Sequence, residues 1–392
     1  MKFKGEEEKR KNKKLKTAFT LVFLAAIAFV IAIYLKSIYN VEYFAMFESQ
    51  EQAFIHILFS VEGLLLIVLA GMLLQTIIHE AGHLIFGLLT GYKFSSFSVL
   101  FFRLYMKNGK LKFGFWLLPG ALGQCLMLPP EHDNGKYPVQ LYILGGSLMN
   151  AVSGIVFTGL YFALREEAFS ACAMLLIAVS GFYAALGNAI PMKLKLNNDG
   201  YNSVEFSKSI AARQASWCIL KINNLQNNRV QLKDMPEEWF RISERESFGS
   251  SMEASVACLT CMRLLEERRF DEADRLMARL LEQRTVLNDN QCNVLLCERT
   301  FYELVHQNRR EVIEEMRTEE QKEFLRKFRS TPDVARTEYA YALLAEQNAE
   351  KAEEIRGKFE KRFGRFADDE NFKLHIEMMD IAKTKADRLH QI

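Results

Sequence analysis

The sequence predicts a mainly α-helical, polytopic membrane helix bundle of about four spans with an inserted β-hairpin, followed by a cytosolic α-helical repeat domain. Charge is unevenly spread: residues 17–200 carry 20 Asp, Glu, Lys and Arg in 184 positions, and residues 201–392 carry 67 in 192. The mean hydropathy of −0.04 is therefore the average of an apolar half and a salt-rich half. Several runs in the apolar half are long enough to cross about 30 Å of hydrocarbon at 1.5 Å per residue. In the other half, apolar residues recur with helical spacing, and the only prolines beyond Ala189 are Pro191, Pro236 and Pro332, which suits long helices. A net charge of +2 excludes bulk nucleic-acid binding, which needs a strongly basic surface.

Residues 1–16, MKFKGEEEKRKNKKLK, hold eight Lys or Arg and read as a basic cytosolic N-terminus. Residues 17–35 hold none, and no small-residue cleavage site follows them, so they predict an uncleaved transmembrane anchor. The stretch from Phe54 to Tyr92 is apolar apart from Glu62, Glu80 and three histidines. As one helix it would be about 58 Å long, more than one bilayer, which predicts a long or broken helix with Gly71 as the candidate break. Two further spans, 138–164 and 169–190, flank the short turn Arg165-Glu166-Glu167. Lys and Arg concentrate before residue 17, in loop 93–137 and after residue 190, and are sparse in loop 36–53 and at 165. Four spans with both termini in the cytosol satisfy this pattern.

In loop 93–137, FSSFSVLFFRLYM and LKFGFWLL flank Lys107-Asn108-Gly109-Lys110. Two β-runs around Asn-Gly predict a hairpin. Its aromatic content predicts that it dips against the helices, since non-helical backbone at membrane depth needs such cover; a small cytosolic hairpin is the alternative. The seven cysteines are odd in number and scattered, which suits a reducing compartment. Cys258 and Cys261 fall at i and i+3 of an apolar helical stripe and read as core packing.

His79-Glu80-Ala81-Gly82-His83 is an HExxH motif. On a helix this spacing puts both imidazoles on one face within reach of one Zn²⁺, with Glu80 beside them to take a proton from the attacking water. Three ionisable groups within five residues of a span default to a functional reading. A catalytic zinc needs a third protein ligand at the same depth. Asp199, just past the last span, qualifies, while Glu166 and Glu167 lie at the opposite face. His132 and Asp133 are rivals that sit between Pro129-Pro130 and Asn134-Gly135 and look like turn residues.

These residues resemble the site-2 protease family of intramembrane zinc metalloproteases over roughly residues 55–201. The resemblance rests on HExxH at 79–83, then Gly146-Ser-Leu-Met-Asn150 in the next span, then Asn188 and Pro191 followed by Asp199-Gly200. An aromatic hairpin and the small-residue stretch Leu118-Pro-Gly-Ala-Leu-Gly-Gln between the first two elements add to it. It implies an intramembrane metalloprotease core at 54–201 in which His79, His83 and Asp199 hold zinc and Glu80 is the general base. Asn188 and Asn150 would offer amide donors to the substrate backbone or the forming oxyanion, with a polar bridge between helices as the other reading of Asn150. The substrate would be a membrane-spanning or signal-peptide-like segment, cut near the cytosolic face of a bacterial cell membrane whose lipid surrounds the spans. The seven residues between Pro191 and Asp199 exceed the family's usual spacer, so they must loop out for Asp199 to reach the metal.

Residues 202–392 predict stacked helical hairpins. Three similar units turn near Phe270, Asn308 and Asn348, a period close to that of tetratricopeptide repeats, whose class the region resembles. Such a domain would dock a cytosolic protein partner or simply brace the membrane core. A membrane-anchored adaptor of this repeat type with a vestigial zinc site is the alternative to a protease.

Overall fold

A computed structural model describes residues 2–38, 46–47, 49–115, 122–132, 134–193, 197–242, 247–364 and 370–390. It divides into two compact units, 1–229 and 230–392.

The first unit is built on α1 (Lys2–Ile38), α2 (Gln50–Leu89), α3 (Val139–Ala163) and α4 (Ala168–Ala189). All four are long and apolar enough to cross a membrane. Their outward side chains, Phe29, Leu69, Ile155 and Phe162 among them, are exposed, as hydrocarbon-facing positions require. Inward packing is dense: Phe23 of α1 stacks on Tyr183 of α4 at 4.1 Å, and Tyr34 meets Phe169 edge-on. Of the two forms expected, a long helix or one broken at Gly71, the structure takes the long one. α2 runs unbroken through 40 residues, with Gly71 buried in its interior facing Ile177 of α4.

Between α2 and α3 lies an antiparallel sheet of β1 (Lys93–Val99), β2 (Phe102–Lys107), β3 (Lys110–Phe115) and β4 (Gly123–Leu128), in the order β3-β2-β1-β4. The Asn-Gly hairpin is its β2–β3 half: Lys107 pairs with Lys110, and Asn108 and Gly109 take φ of 50° and 71°, the signature of a type I′ turn. The run read as one strand, 94–106, folds instead as two. It reverses at Leu100, whose φ is 54°, because β4 supplies a second partner for β1. Part of the small-residue stretch, 118–121, lies outside the described residues.

α5 (Asp199–Lys208) and α6 (Ile210–Asn227) complete this unit. α5 is held to α3 by Gln140, whose amide donates to Ser203 O and Ser207 Oγ. α6 is tied to the segment after β4, where Trp217 Nε1 donates to Pro130 O and Lys221 pairs with Glu131.

The second unit is helical: α7 (Ser251–Glu266), α8 (Phe270–Glu282), α9 (Asp289–His306), α10 (Arg310–Met316), α11 (Glu319–Lys327), α12 (Pro332–Leu344), α13 (Ala349–Phe363) and α14 (Glu370–His390). Helices α7, α9 and α12 each end at a turn carrying one left-handed residue: Arg268, Asn308 and Gln347, with φ of 63°, 54° and 53°. Backbone bonds such as Arg269 N to Leu264 O and Asn308 N to Glu303 O close these ends, in the manner of αL helix caps. The buried leucines Leu264, Leu304 and Leu344 recur with the same spacing. Cys258 and Cys261 pack in the core of the first hairpin, and none of the seven cysteines is in a disulfide.

Candidate metal centre

The second and third turns from the end of α2 carry His83 and His79-Glu80, all turned inward toward α3, β4 and the start of α5. His79 Nε2 lies 3.1 Å from His83 Nε2 and 3.0 Å from Asp199 Oδ2, and His83 Nε2 lies 3.5 Å from the same oxygen. Two imidazoles four residues apart on one helix thus meet a carboxylate from a separate element. The ring of His79 lies flat on the α3 backbone, where a Cβ at Gly146 would stand 2.6 Å from Nε2. Only glycine leaves room there.

Each imidazole is oriented from behind. His83 Nδ1 is 2.7 Å from the Tyr142 backbone oxygen, which only accepts, so Nδ1 carries the hydrogen. His79 Nδ1 is 2.7 Å from Asn150 Oδ1. The Asn150 amide nitrogen donates to the Gln75 carbonyl at 2.8 Å and to Gln75 Oε1 at 2.9 Å, so its oxygen is the end that faces His79. Both Nε2 atoms therefore point lone pairs at one another and at Asp199 Oδ2, a buried atom with no hydrogen-bond donor.

With both imidazoles neutral, three electron-pair donors face each other with no hydrogen between them, an arrangement a cation resolves. At metal–ligand distances of about 2.0–2.1 Å, neighbouring donors of a tetrahedral site stand roughly 3.3 Å apart, which the observed 3.0, 3.1 and 3.5 Å fit. Among the described residues these three form a group able to hold a metal ion. Each His Nδ1–H bonded to an oxygen is also the usual outer arrangement of metal-ligating histidine.

Asp199 reaches this point because Asn198 folds the spacer back on α4. Asn198 Nδ2 donates to Gly187 O and Ile190 O, and its Oδ1 accepts from Met192 N and from Tyr201 N. The last of these bonds caps α5. The Met192 N–Asn198 Oδ1 bond brings the two ends of the spacer together; residues 194–196 lie outside the described residues.

Glu80 is buried beside the HExxH histidines and against β4, where a Cβ at Gly123 would meet Glu80 Oε1 at 2.6 Å. Asn150 does not face the site with its amide donor: the side chain is wholly buried, and its polar atoms are taken up by Gln75 and His79. Asn188 is half-buried and turns its amide back to Ala184 O at 3.0 Å. Of the rival ligands, His132 accepts from Gly135 N and packs edge-on against Trp217, away from His79 and His83; Asp133 lies outside the described residues. Gln75 and Asn198 escaped the reading of the sequence. The signals were there: a lone glutamine one turn before His79 in an apolar helix, and an asparagine immediately before the acidic start of a helix.

Four membrane-length helices that bury HExxH against a carboxylate from a separate helix define a membrane metalloprotease. Residues 67–347 match the family model for peptidase family M50, the site-2 protease family, and the chain belongs to that family. Neither a curated protein nor a solved structure matches the chain.

Proposed function

We propose that the chain is an intramembrane zinc endopeptidase that cleaves membrane-spanning or signal-peptide-like segments near the cytosolic face. The observation that carries this reading is the convergence of His79 Nε2, His83 Nε2 and Asp199 Oδ2 with both imidazole hydrogens committed elsewhere. His79, His83 and Asp199 would hold the Zn²⁺, which would supply acidification of water and polarisation of the scissile carbonyl. Glu80, buried and within reach of the same space, accepts the proton of the attacking water and returns it to the departing amine. Asn150 orients His79. Asn188, on releasing Ala184, offers its amide donor to the substrate backbone.

A helical substrate shields its own peptide bonds, so it must unwind before attack. β4 is an edge strand lying against Glu80, so an unwound segment added to it by strand pairing runs past the carboxylate. The Lys and Arg distribution supports both termini in the cytosol, which puts Asp199 and the helical unit on the side of cleavage. That unit's regular hairpins support a tetratricopeptide-like surface for a cytosolic protein partner, and the exposed apolar faces of α1–α4 support contact with membrane lipid.

Metal analysis of the purified protein, together with Glu80→Gln assayed on a co-expressed single-span substrate, tests the reading. One zinc per chain is expected in both proteins, with cleavage lowered roughly 10²–10⁴-fold in the variant. A wild-type protein that takes up no zinc, or a Glu80→Gln protein that cleaves at the normal rate, rejects the protease in favour of an adaptor with a vestigial site.

A further inference from the structure

Gln75 lies one turn before His79 on α2 and is only 1% exposed. Its amide nitrogen donates to Ser153 Oγ of α3 at 2.9 Å and toward the Ile177 carbonyl of α4 at 3.5 Å, while Oε1 accepts from Asn150 Nδ2. A backbone carbonyl only accepts, so Ile177 fixes which end of Gln75 carries hydrogens. The orientation then passes along: Gln75 presents oxygen to Asn150, Asn150 presents oxygen to His79, and His79 keeps its hydrogen on Nδ1 and its lone pair on Nε2. His83 supplies an internal contrast. Its Nδ1 partner is the backbone oxygen of Tyr142, which has no end to flip, so of the two histidines only His79 depends on side-chain amides for its tautomer.

We propose that Gln75 is a positioning residue of the metal centre, which acts through Asn150 to hold His79 in the tautomer that ligates metal. The inference rests on the zinc site proposed above. An outer partner of this kind contributes about 10–100-fold in metal affinity. Part of the hold on Asn150 comes from the Gln75 main-chain oxygen, which any substitution leaves in place, so the Gln75 side chain belongs at the lower end of that range.

The test is a Zn²⁺ titration of the metal-free, full-length protein against a competing chelator. Gln75→Leu is expected to bind Zn²⁺ about tenfold more weakly and Asn150→Ala about 10–100-fold more weakly. The double variant should bind no more weakly than Asn150→Ala alone, because a residue that acts only through another has nothing left to remove. Gln75→Glu keeps an oxygen facing Asn150 Nδ2 and, at this buried position, a protonated carboxyl whose hydroxyl can donate to Ser153 Oγ, so it is expected to bind more tightly than Gln75→Leu. Unchanged helicity and elution volume separate this outcome from misfolding. Wild-type affinity in Gln75→Leu, or losses that add in the double variant, overturns the role of Gln75. His79→Ala is the control for the site: if it binds Zn²⁺ as tightly as the wild type, the site reading falls and this inference with it.

Discussion

Each unit of the chain buries a cluster of ionisable side chains, and the two clusters differ in how they are closed. In the helical unit Glu298 of α9 and Arg336 of α12 meet at 2.6 Å, with side chains 3% and 1% exposed, and the guanidinium also stands over the Phe301 ring. Opposite charges neutralise each other, and the pair joins neighbouring hairpins. In the membrane unit the side chains of His79, His83 and Asp199 are less completely buried, 12%, 10% and 20% exposed, and with neutral imidazoles their facing atoms are all lone pairs. Burial of charge is thus no mark of function by itself. What distinguishes the membrane cluster is a set of acceptors whose hydrogens are all committed behind them, so that only an added cation completes it.

The largest expected effect breaks the open cluster. Asp199→Ala removes one of three donors and should weaken Zn²⁺ binding by more than the 10–100-fold that an outer partner contributes, as read by chelator competition, with unfolding of the helical unit unaffected. Binding left within tenfold of the wild type would show that Asp199 is no ligand. The closed cluster should respond to the reverse treatment. Arg336→Met leaves Glu298 buried without a partner and should destabilise the helical unit by about 3–5 kcal/mol, whereas Glu298→Leu with Arg336→Met should be close to neutral. Denaturant unfolding followed by helicity measures both, and Zn²⁺ affinity should not move in either. A double variant as unstable as the single would mean that the pair shapes the packing beyond its own charges.

Much of this contrast was legible in the sequence, for identifiable reasons. Spans are long apolar runs whose ends are marked by charge, so α3 and α4 lie within a residue or so of the runs read from the sequence, whereas α1 begins at Lys2, inside the basic stretch that precedes its apolar run. HExxH names a single helix face, and the αL turns at Arg268, Asn308 and Gln347 repeat because the hairpins repeat. What the sequence hid is non-local. β1 and β4 are short, and their pairing joins residues on either side of the Asn-Gly hairpin, Ser98 with Gln124 for example. The path that brings Asp199 to the histidines depends on four bonds made by Asn198, whose partners are mostly main-chain atoms and so leave no side-chain pattern. Asn150 matched a family element, but whether its amide faces substrate or His79 depends on Gln75, which belongs to no motif.

The smallest effect concerns a third member of the closed cluster. His375 of α14 lies 3.5 Å from Arg336 through Nδ1 and edge-on to Phe359. Burial, and then the Arg336 charge, hold its imidazole well below the ordinary value of 6.5. In the unfolded chain the same group takes up a proton as pH falls through about 6.5, which the folded unit cannot match, so stability should decline below that pH by up to about 1.4 kcal/mol per pH unit. Burial acts on Glu298 in the opposite sense, raising its carboxyl, so Glu298 contributes stability that is lost as pH rises through its folded value. His375→Gln removes only the first contribution. The variant should flatten the acid side of a plot of unfolding free energy against pH, and an unchanged slope would assign the acid sensitivity to some other group.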